Sequence, residues 1–337
     1  MLELIIITSS QYSWSKRWDE GGQARRQDMS GVRKALFLAV LLALIPPADA
    51  VLINPESWNN SAVVEGGFTI LVEEYTATWC EQCAQIDEDL EIITDDHGSR
   101  ISMISYHPSD GVDAFEPPAA EHRLERLRLQ HPNLAGSPSF VVHNGLVREG
   151  VESWPDVQSD ILKEESSQRG FTELKVTAET NETELMVTVF PPLFGDVQND
   201  TQVSILFLQH NKVIPDGFIN PGTGSRDRVL VGLAEFPMNG NPVSIDTTIV
   251  APFVASYPID SMEQWSVVVV HEYTSEALTN KTTTDSKPLG VVEISIKDPH
   301  QDESTELPLL LPIIIFMAIG TLGIISSKNK KKVKEEE

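Results

Sequence analysis

Cysteine is almost absent from this chain: its 337 residues contain two. A disulfide framework is therefore excluded, and so is a structural zinc site, which usually draws on four ligands. Basic residues are scarce as well, 25 Lys and Arg against 50 Asp and Glu, for a net charge of −25. Such a chain repels nucleic acid and anionic membrane surfaces, so neither is an expected partner. No EF-hand spacing or aspartate repeat offers a calcium site. No Gly-x-Ser-x-Gly elbow surrounds Ser137 to make it a nucleophile. No motif calls for a cofactor, and there is no internal repeat.

Long, predominantly apolar runs are equally few, and two of them read as addresses. Met29-Ser30-Gly31-Val32-Arg33-Lys34 leads into Ala35–Ile45, eleven residues without a charge, and then Pro46-Pro47-Ala48-Asp49-Ala50. Basic start, apolar centre and Ala-x-Ala end make residues 29–50 a signal peptide, cleaved after Ala50. Eleven residues fall well short of the roughly 20 that span a bilayer. Residues 1–28 are mixed and unperiodic and read as an over-extended start, with Met29 as the initiator. Leu307–Ser327 has 21 uncharged residues, enough for a transmembrane helix; Pro308 and Pro312 fall in its tolerant first turns. Residues 299–306 precede it as a juxtamembrane linker. The lysines of the tail 328–337 mark the cytoplasmic side. The expectation is a single-pass cell-membrane protein with its bulk extracytoplasmic. Sequons at Asn59, Asn181, Asn199 and Asn280 suit that placement as glycosylation candidates.

Both cysteines stand in Trp79-Cys80-Glu81-Gln82-Cys83. This spacing suits a first Cys at a helix N-terminus, where unpaired N–H groups and the helix dipole favour a thiolate, with the second Cys one turn in. The second thiol can then attack a mixed disulfide formed by the first. A permanent staple is the alternative outside the cell, but so short a loop gives it little entropic value.

Pattern divides residues 51–298 in two. From 51 to 166, strand-like runs (68–75, 101–106, 139–143) alternate with helical ones (82–96, 117–130, 154–163), an α/β arrangement. Asn144-Gly145 reads as a hairpin turn. Glu73 and Glu74 are adjacent in the first strand, so alternation is expected to bury one and expose the other. His107 is expected to lie on the surface. After a hinge at 166–170 the helical signal vanishes. Seven strand-length runs (173–179, 184–190, 203–210, 228–236, 243–250, 264–272, 288–296) imply an antiparallel β-sandwich of immunoglobulin or fibronectin type over 171–298.

Residues 68 to about 165 resemble the thioredoxin-like superfamily. The family's Trp-Cys-x-x-Cys after the central strand is matched by Trp79, Cys80 and Cys83. Its buried acid six residues before the first cysteine is matched by Glu74, and its cis-proline loop by Ser137-Pro138-Ser139. Between Cys83 and Pro138 the chain is longer than in minimal members, with the excess around residues 107–123. The resemblance implies a thiol–disulfide oxidoreductase acting on exported proteins. Cys80 would be the attacking thiolate and Cys83 the resolving thiol, with Glu74 relaying its proton. Trp79, Pro138 and the main chain of Ser137 and Ser139 would receive the substrate. Glu81 puts a negative charge beside Cys80 and disfavours its thiolate, so a reductant or isomerase is expected rather than a strong oxidase. A reductant outside the cell needs a separate membrane electron donor or acceptor. The competing reading is a surface binding or adhesion protein in which this module is a redox-inactive scaffold.

Overall fold

The computed structural model describes residues 50–167, 170–190, 199–259 and 264–298. The expected signal peptide up to Asp49, the transmembrane helix and the lysine tail lie outside them. Among the described residues no helix is long and apolar enough to cross a membrane. The four sequon asparagines are exposed.

The fold is mixed α/β, mostly sheet with few helices. Its first strands are β1 (Ala50–Ile53), β2 (Ser61–Gly66), β3 (Ile70–Tyr75), β4 (Ile101–Tyr106), β5 (Ser139–Val142) and β6 (Val147–Glu149). Then follow β7 (Leu174–Thr180), β8 (Glu184–Phe190), β9 (Thr201–Gln209), β10 (Lys212–Val213), β11 (Ser225–Arg226) and β12 (Val229–Pro237). The last are β13 (Val243–Ile245), β14 (Thr248–Ala251), β15 (Val254–Pro258), β16 (Trp265–Tyr273) and β17 (Gly290–Ile296). Helices are α1 (Glu81–His97), α2 (Pro118–Gln130), α3 (Trp154–Ser167) and the single turn α4 (Ser275–Leu278).

The strands do not respect the boundary expected at 166–170. One large sheet runs β1-β17-β16-β9-β12-β4-β3-β5-β6, with β13 added on β12. The join is a short parallel pairing, Val229 opposite Ser105, in which the Ser105 N–H donates to the Arg228 carbonyl (3.0 Å). The second sheet, β14-β15-β8-β7-β2, takes β2 from the N-terminal half. Strand β1 likewise pairs with β17 rather than with its neighbours in sequence. Burial explains both. Val64 of β2 is closed into the apolar core between the sheets with Val176, Val187 and Val267.

Three apolar layers hold the large sheet. Between the two sheets lies a core that includes Leu185, Phe207, Trp265, Val267 and Val269. On the opposite face, Ala119, Ala120, Leu124 and Leu127 of α2 cover Ile104, Leu206, Val268 and Val270. Over β3–β5, Ile86 and Leu90 of α1 and Val157 and Ile161 of α3 pack on Ile70, Met103 and Phe140. Strand β16 is thus covered on both faces, which is why Val267–Val270 is a continuous apolar run. Gly98, at φ +56, ends α1 in a backbone region that suits glycine. The hairpin between β5 and β6 turns one residue earlier than expected. His143 and Asn144 take positive φ, and the Gly145 N–H donates to the Val142 carbonyl (2.8 Å).

A buried ionic cluster ties the halves together. Arg123 of α2 is 1% exposed. It donates to Glu73 of β3 and to Glu272 of β16, each at 2.7 Å. Tyr106 Oη also donates to Glu73 (2.7 Å), and Ser204 Oγ to Glu272 (2.6 Å). Burial alone would raise the Glu272 carboxyl, but Arg123 and Arg126 outweigh it and hold it down at about 2.

Candidate active site around Cys80 and Cys83

Strand β3 delivers the chain to Thr76-Ala77-Thr78-Trp79, and α1 starts directly after Cys80. Cys80 is the N-cap, with extended backbone, and its Sγ receives the N–H of Cys83 at 3.1 Å. A sulfur there satisfies one of the donors that a helix start leaves free. Cys80 and Cys83 are joined by a disulfide, their Cα atoms 5.3 Å apart. Cys80 is only 5% exposed and Cys83 is fully buried. The sulfur expected to stand open is therefore mostly covered.

The loop before β5 lies beside these sulfurs. The Ser137–Pro138 peptide is cis, and the Ser137 carbonyl oxygen is 3.5 Å from Cys80 Sγ. Pro138 and Ser139 are buried, and Ser137 is half-buried. Ser139 is already the first residue of β5, between Tyr75 of β3 and Glu149 of β6. It has no free side for an added strand, which corrects the expectation for Ser139. Trp79 is half-buried, and its indole N–H donates to Asp110 Oδ2 (2.9 Å).

Glu73 and Glu74 are both buried, at 2% exposure each. Alternation does place them on opposite faces, but both faces of β3 are covered. Glu73 meets Arg123. Glu74 receives the Ser105 hydroxyl proton on Oε2 (2.8 Å), while Oε1 has no hydrogen-bond partner. Burial, with the negative charge of Asp87 added, raises the Glu74 carboxyl from 4.5 to about 8. A carboxyl so placed is protonated at neutral pH and can exchange a proton near pH 8.

Other residues of the site were not expected there from the sequence. His107 is fully buried rather than on the surface, with Nδ1 2.9 Å from Asp113 Oδ2 and its ring edge-on to Phe115. Asp113 also accepts the N–H of Thr78 (2.7 Å), and the Thr78 hydroxyl accepts the N–H of Ala114 (2.9 Å). Burial would raise Asp113, but the His107 contact and the backbone donors lower it overall. The extra residues after β4 therefore brace the corner that presents Cys80. Asp87 of α1 and Arg226 of the second half complete the surroundings, 3.1 Å apart. Two aspartates three apart, Asp110 and Asp113, were the one available hint. Asp110 Oδ1 accepts the N–H of Val112 and of Asp113, an Asx turn. Among the described residues no group of His, Cys, Asp and Glu could hold a metal ion.

No family model and no curated protein matches the chain. Among solved structures, HBP35 of Porphyromonas gingivalis is similar at 14% identity, over 72% of this chain and 80% of that one, with a TM-score of 0.44. An Agrobacterium tumefaciens protein is similar at 13% identity, over 70% and 97%, with a TM-score of 0.43. These likenesses are distant and carry no inference about the site.

Proposed function

We propose that this protein is a membrane-anchored, extracytoplasmic thiol–disulfide oxidoreductase. It would join a thioredoxin-like module, about residues 68–165, to an immunoglobulin-like sandwich that extends the same sheet. The observation that supports this best is one juxtaposition: a Cys-x-x-Cys disulfide at a helix N-terminus, 3.5 Å from a cis-proline loop.

In the reducing direction, Cys80 thiolate attacks a client disulfide, forming a mixed disulfide and releasing one client thiolate. Cys83 then attacks Cys80 Sγ, and the second client sulfur leaves with the bonding electrons. Two electrons pass to the client and Cys80–Cys83 is oxidised. The proton of Cys83 goes to Glu74 in its carboxylate form, which is reached as pH rises through about 8. Ser137 and Pro138, with Trp79 at the edge, receive the client segment. Re-reduction needs an electron donor at the membrane. Glu81 beside Cys80 favours reductant or isomerase activity over strong oxidation.

The near-complete burial of both sulfurs favours the second reading, an adhesion or binding protein with an inert staple. Reduced Cys83→Ser protein mixed with insulin separates the two. A mixed disulfide through Cys80, absent from the Cys80→Ser/Cys83→Ser protein, supports the oxidoreductase. No adduct, with a wild-type disulfide that resists dithiothreitol, supports the scaffold.

A further inference from the structure

The second half of the chain brings a cation to the thiol–disulfide site. Strands β10 and β11 form a two-stranded ribbon between β9 and β12. Its loop comes down on α1: a Cβ on Gly222 would stand 2.8 Å from that of Ala84, the residue after Cys83. Only glycine lets the loop approach so closely. Arg226, 5% exposed, is the anchor. Its Nη2 donates to the Thr78 carbonyl (3.3 Å) and to Asn220 Oδ1 (2.9 Å), and its Nη1 to the Thr223 carbonyl (2.9 Å). Its Nε stands 3.1 Å from Asp87 Oδ2 without the alignment of a hydrogen bond, an ionic contact.

Beneath this contact is a cavity of about 270 Å³ whose wall includes Glu74, Thr76, Asp87, Ser105, His107 and Arg226. Glu74 Oε1, Thr76 Oγ1 and His107 Nε2 are buried without hydrogen-bond partners. The other charged groups of the wall are held elsewhere, apart from Glu88, which is exposed at the rim. Asp227 pairs with His210 and Lys297, Arg228 with Asp95 and Glu293, and Glu91 with Lys297. Arg226 has its ion-pair partner, Asp87, on the helix that carries the cysteines.

We propose that Arg226 is a positioning residue of the thiol–disulfide site, fixing the Thr78–Cys80 corner against α1 and presenting a positive charge to Glu74 and Asp87. The inference rests on the oxidoreductase reading. Burial and the Asp87 charge push the Glu74 carboxyl up, and Arg226 pulls it down. With the guanidinium removed, the buried Glu74 carboxyl and the half-buried Asp87 carboxyl share the cavity wall without that counter-charge, and Glu74 keeps its proton to higher pH. The resolving step needs Glu74 ionised. The Cys83 thiol gives its proton to the Glu74 carboxylate, Cys83 Sγ bonds to Cys80 Sγ, and the client sulfur leaves with the electron pair. Arg226 therefore sets the pH at which that step begins.

The test uses the full chain in detergent, as wild type, Arg226→Met, Arg226→Lys and Asp87→Asn. Reduced protein is mixed with insulin, and the rate of insulin reduction is followed from pH 6 to 10. Glu74 is titrated independently, as the part of the pH dependence of unfolding of the oxidised protein that Glu74→Gln removes. Arg226→Met is expected to move both midpoints up by roughly one to two pH units. Arg226→Lys returns them towards wild type, and Asp87→Asn moves them down, which carries the test alone if Arg226→Met does not fold. A purely structural Arg226 would slow the reaction equally at every pH. That result, or midpoints unmoved by the charge changes, overturns the proposal. If wild type reduces no insulin while the Glu74 titration still shifts, the charge coupling stands and the oxidoreductase reading falls.

Discussion

Replacing Glu74 with Gln should make the protein more stable in alkali, although Glu74 belongs to the proposed active site. The carboxyl is held at about 8 in the folded chain against 4.5 for the free group. Between those values the folded state binds a proton that the unfolded state has lost. Stability from this group is therefore fully present below pH 4.5 and is lost as pH rises through 8. At about 1.4 kcal/mol per unit, the interval amounts to about 5 kcal/mol. Partial relaxation around the charged pair with Asp87 reduces that, so about 3 kcal/mol is the figure to test against. Gln resembles the neutral acid in shape, keeps an oxygen for the Ser105 hydroxyl, and does not titrate. Urea unfolding of the oxidised protein by circular dichroism, at intervals from pH 5 to 9, gives both stability curves. Self-repulsion of the acidic chain acts on both proteins alike, so it cancels in their difference. The Gln variant should match wild type near pH 5 and exceed it progressively towards pH 9. Parallel curves would refute a raised Glu74.

Three further outcomes are expected. Arg123→Met leaves Glu73 buried without its cation and Glu272 with Arg126 alone, and should cost about 3 to 5 kcal/mol at pH 7, read by urea unfolding. Its deficit should shrink in acid, because the stability from Glu272, held at about 2 against 4.5, is present above pH 4.5 and lost as pH falls towards 2. The Cys80–Cys83 reduction potential, measured by equilibration with glutathione, should be well below the roughly −120 mV of strongly oxidising exported dithiols. A value near −120 mV would reverse the proposed direction. Deleting residues 299–337 should move the protein from the membrane fraction to the soluble one, and retention in the membrane would count against the anchor.

Most strand and helix positions were legible because each is a local pattern. Strands β1, β2 and β15 had no expected counterpart, however, and the run expected as one strand over 243–250 is two, β13 and β14, in different sheets. Leu185, Val187 and Val189 alternate along β8, and Ile86 and Leu90 are one helical turn apart in α1; all are buried where that spacing puts them. What escaped was everything set by which elements meet. Glu73 and Glu74 were expected to divide between core and solvent, a rule that holds for a strand with one wet face. Here α2 covers one face of β3 and α1 and α3 the other, so both acids are inside, and each is matched separately to its own face. The same limit hid the joined sheet. One register pair, Val229 with Ser105, links segments more than a hundred residues apart, and no local propensity marks it. The run Val267–Val270 carried a trace of it, since four successive valines need cover on both faces. Arg226-Asp227-Arg228 is the sharpest case. In sequence nothing marks its charges for burial. In the fold Arg226 meets Asp87 and Thr78, and Arg228 meets Asp95 and Glu293. A chain with twice as many acids as bases has few cations to place. Several of them, Arg123, Arg226, Arg228 and Lys297, are buried against acids of the opposite half. That distribution binds the first half of the chain to the second by charge as well as by sheet. The second half is then part of the site's electrostatics and not only a stalk for it.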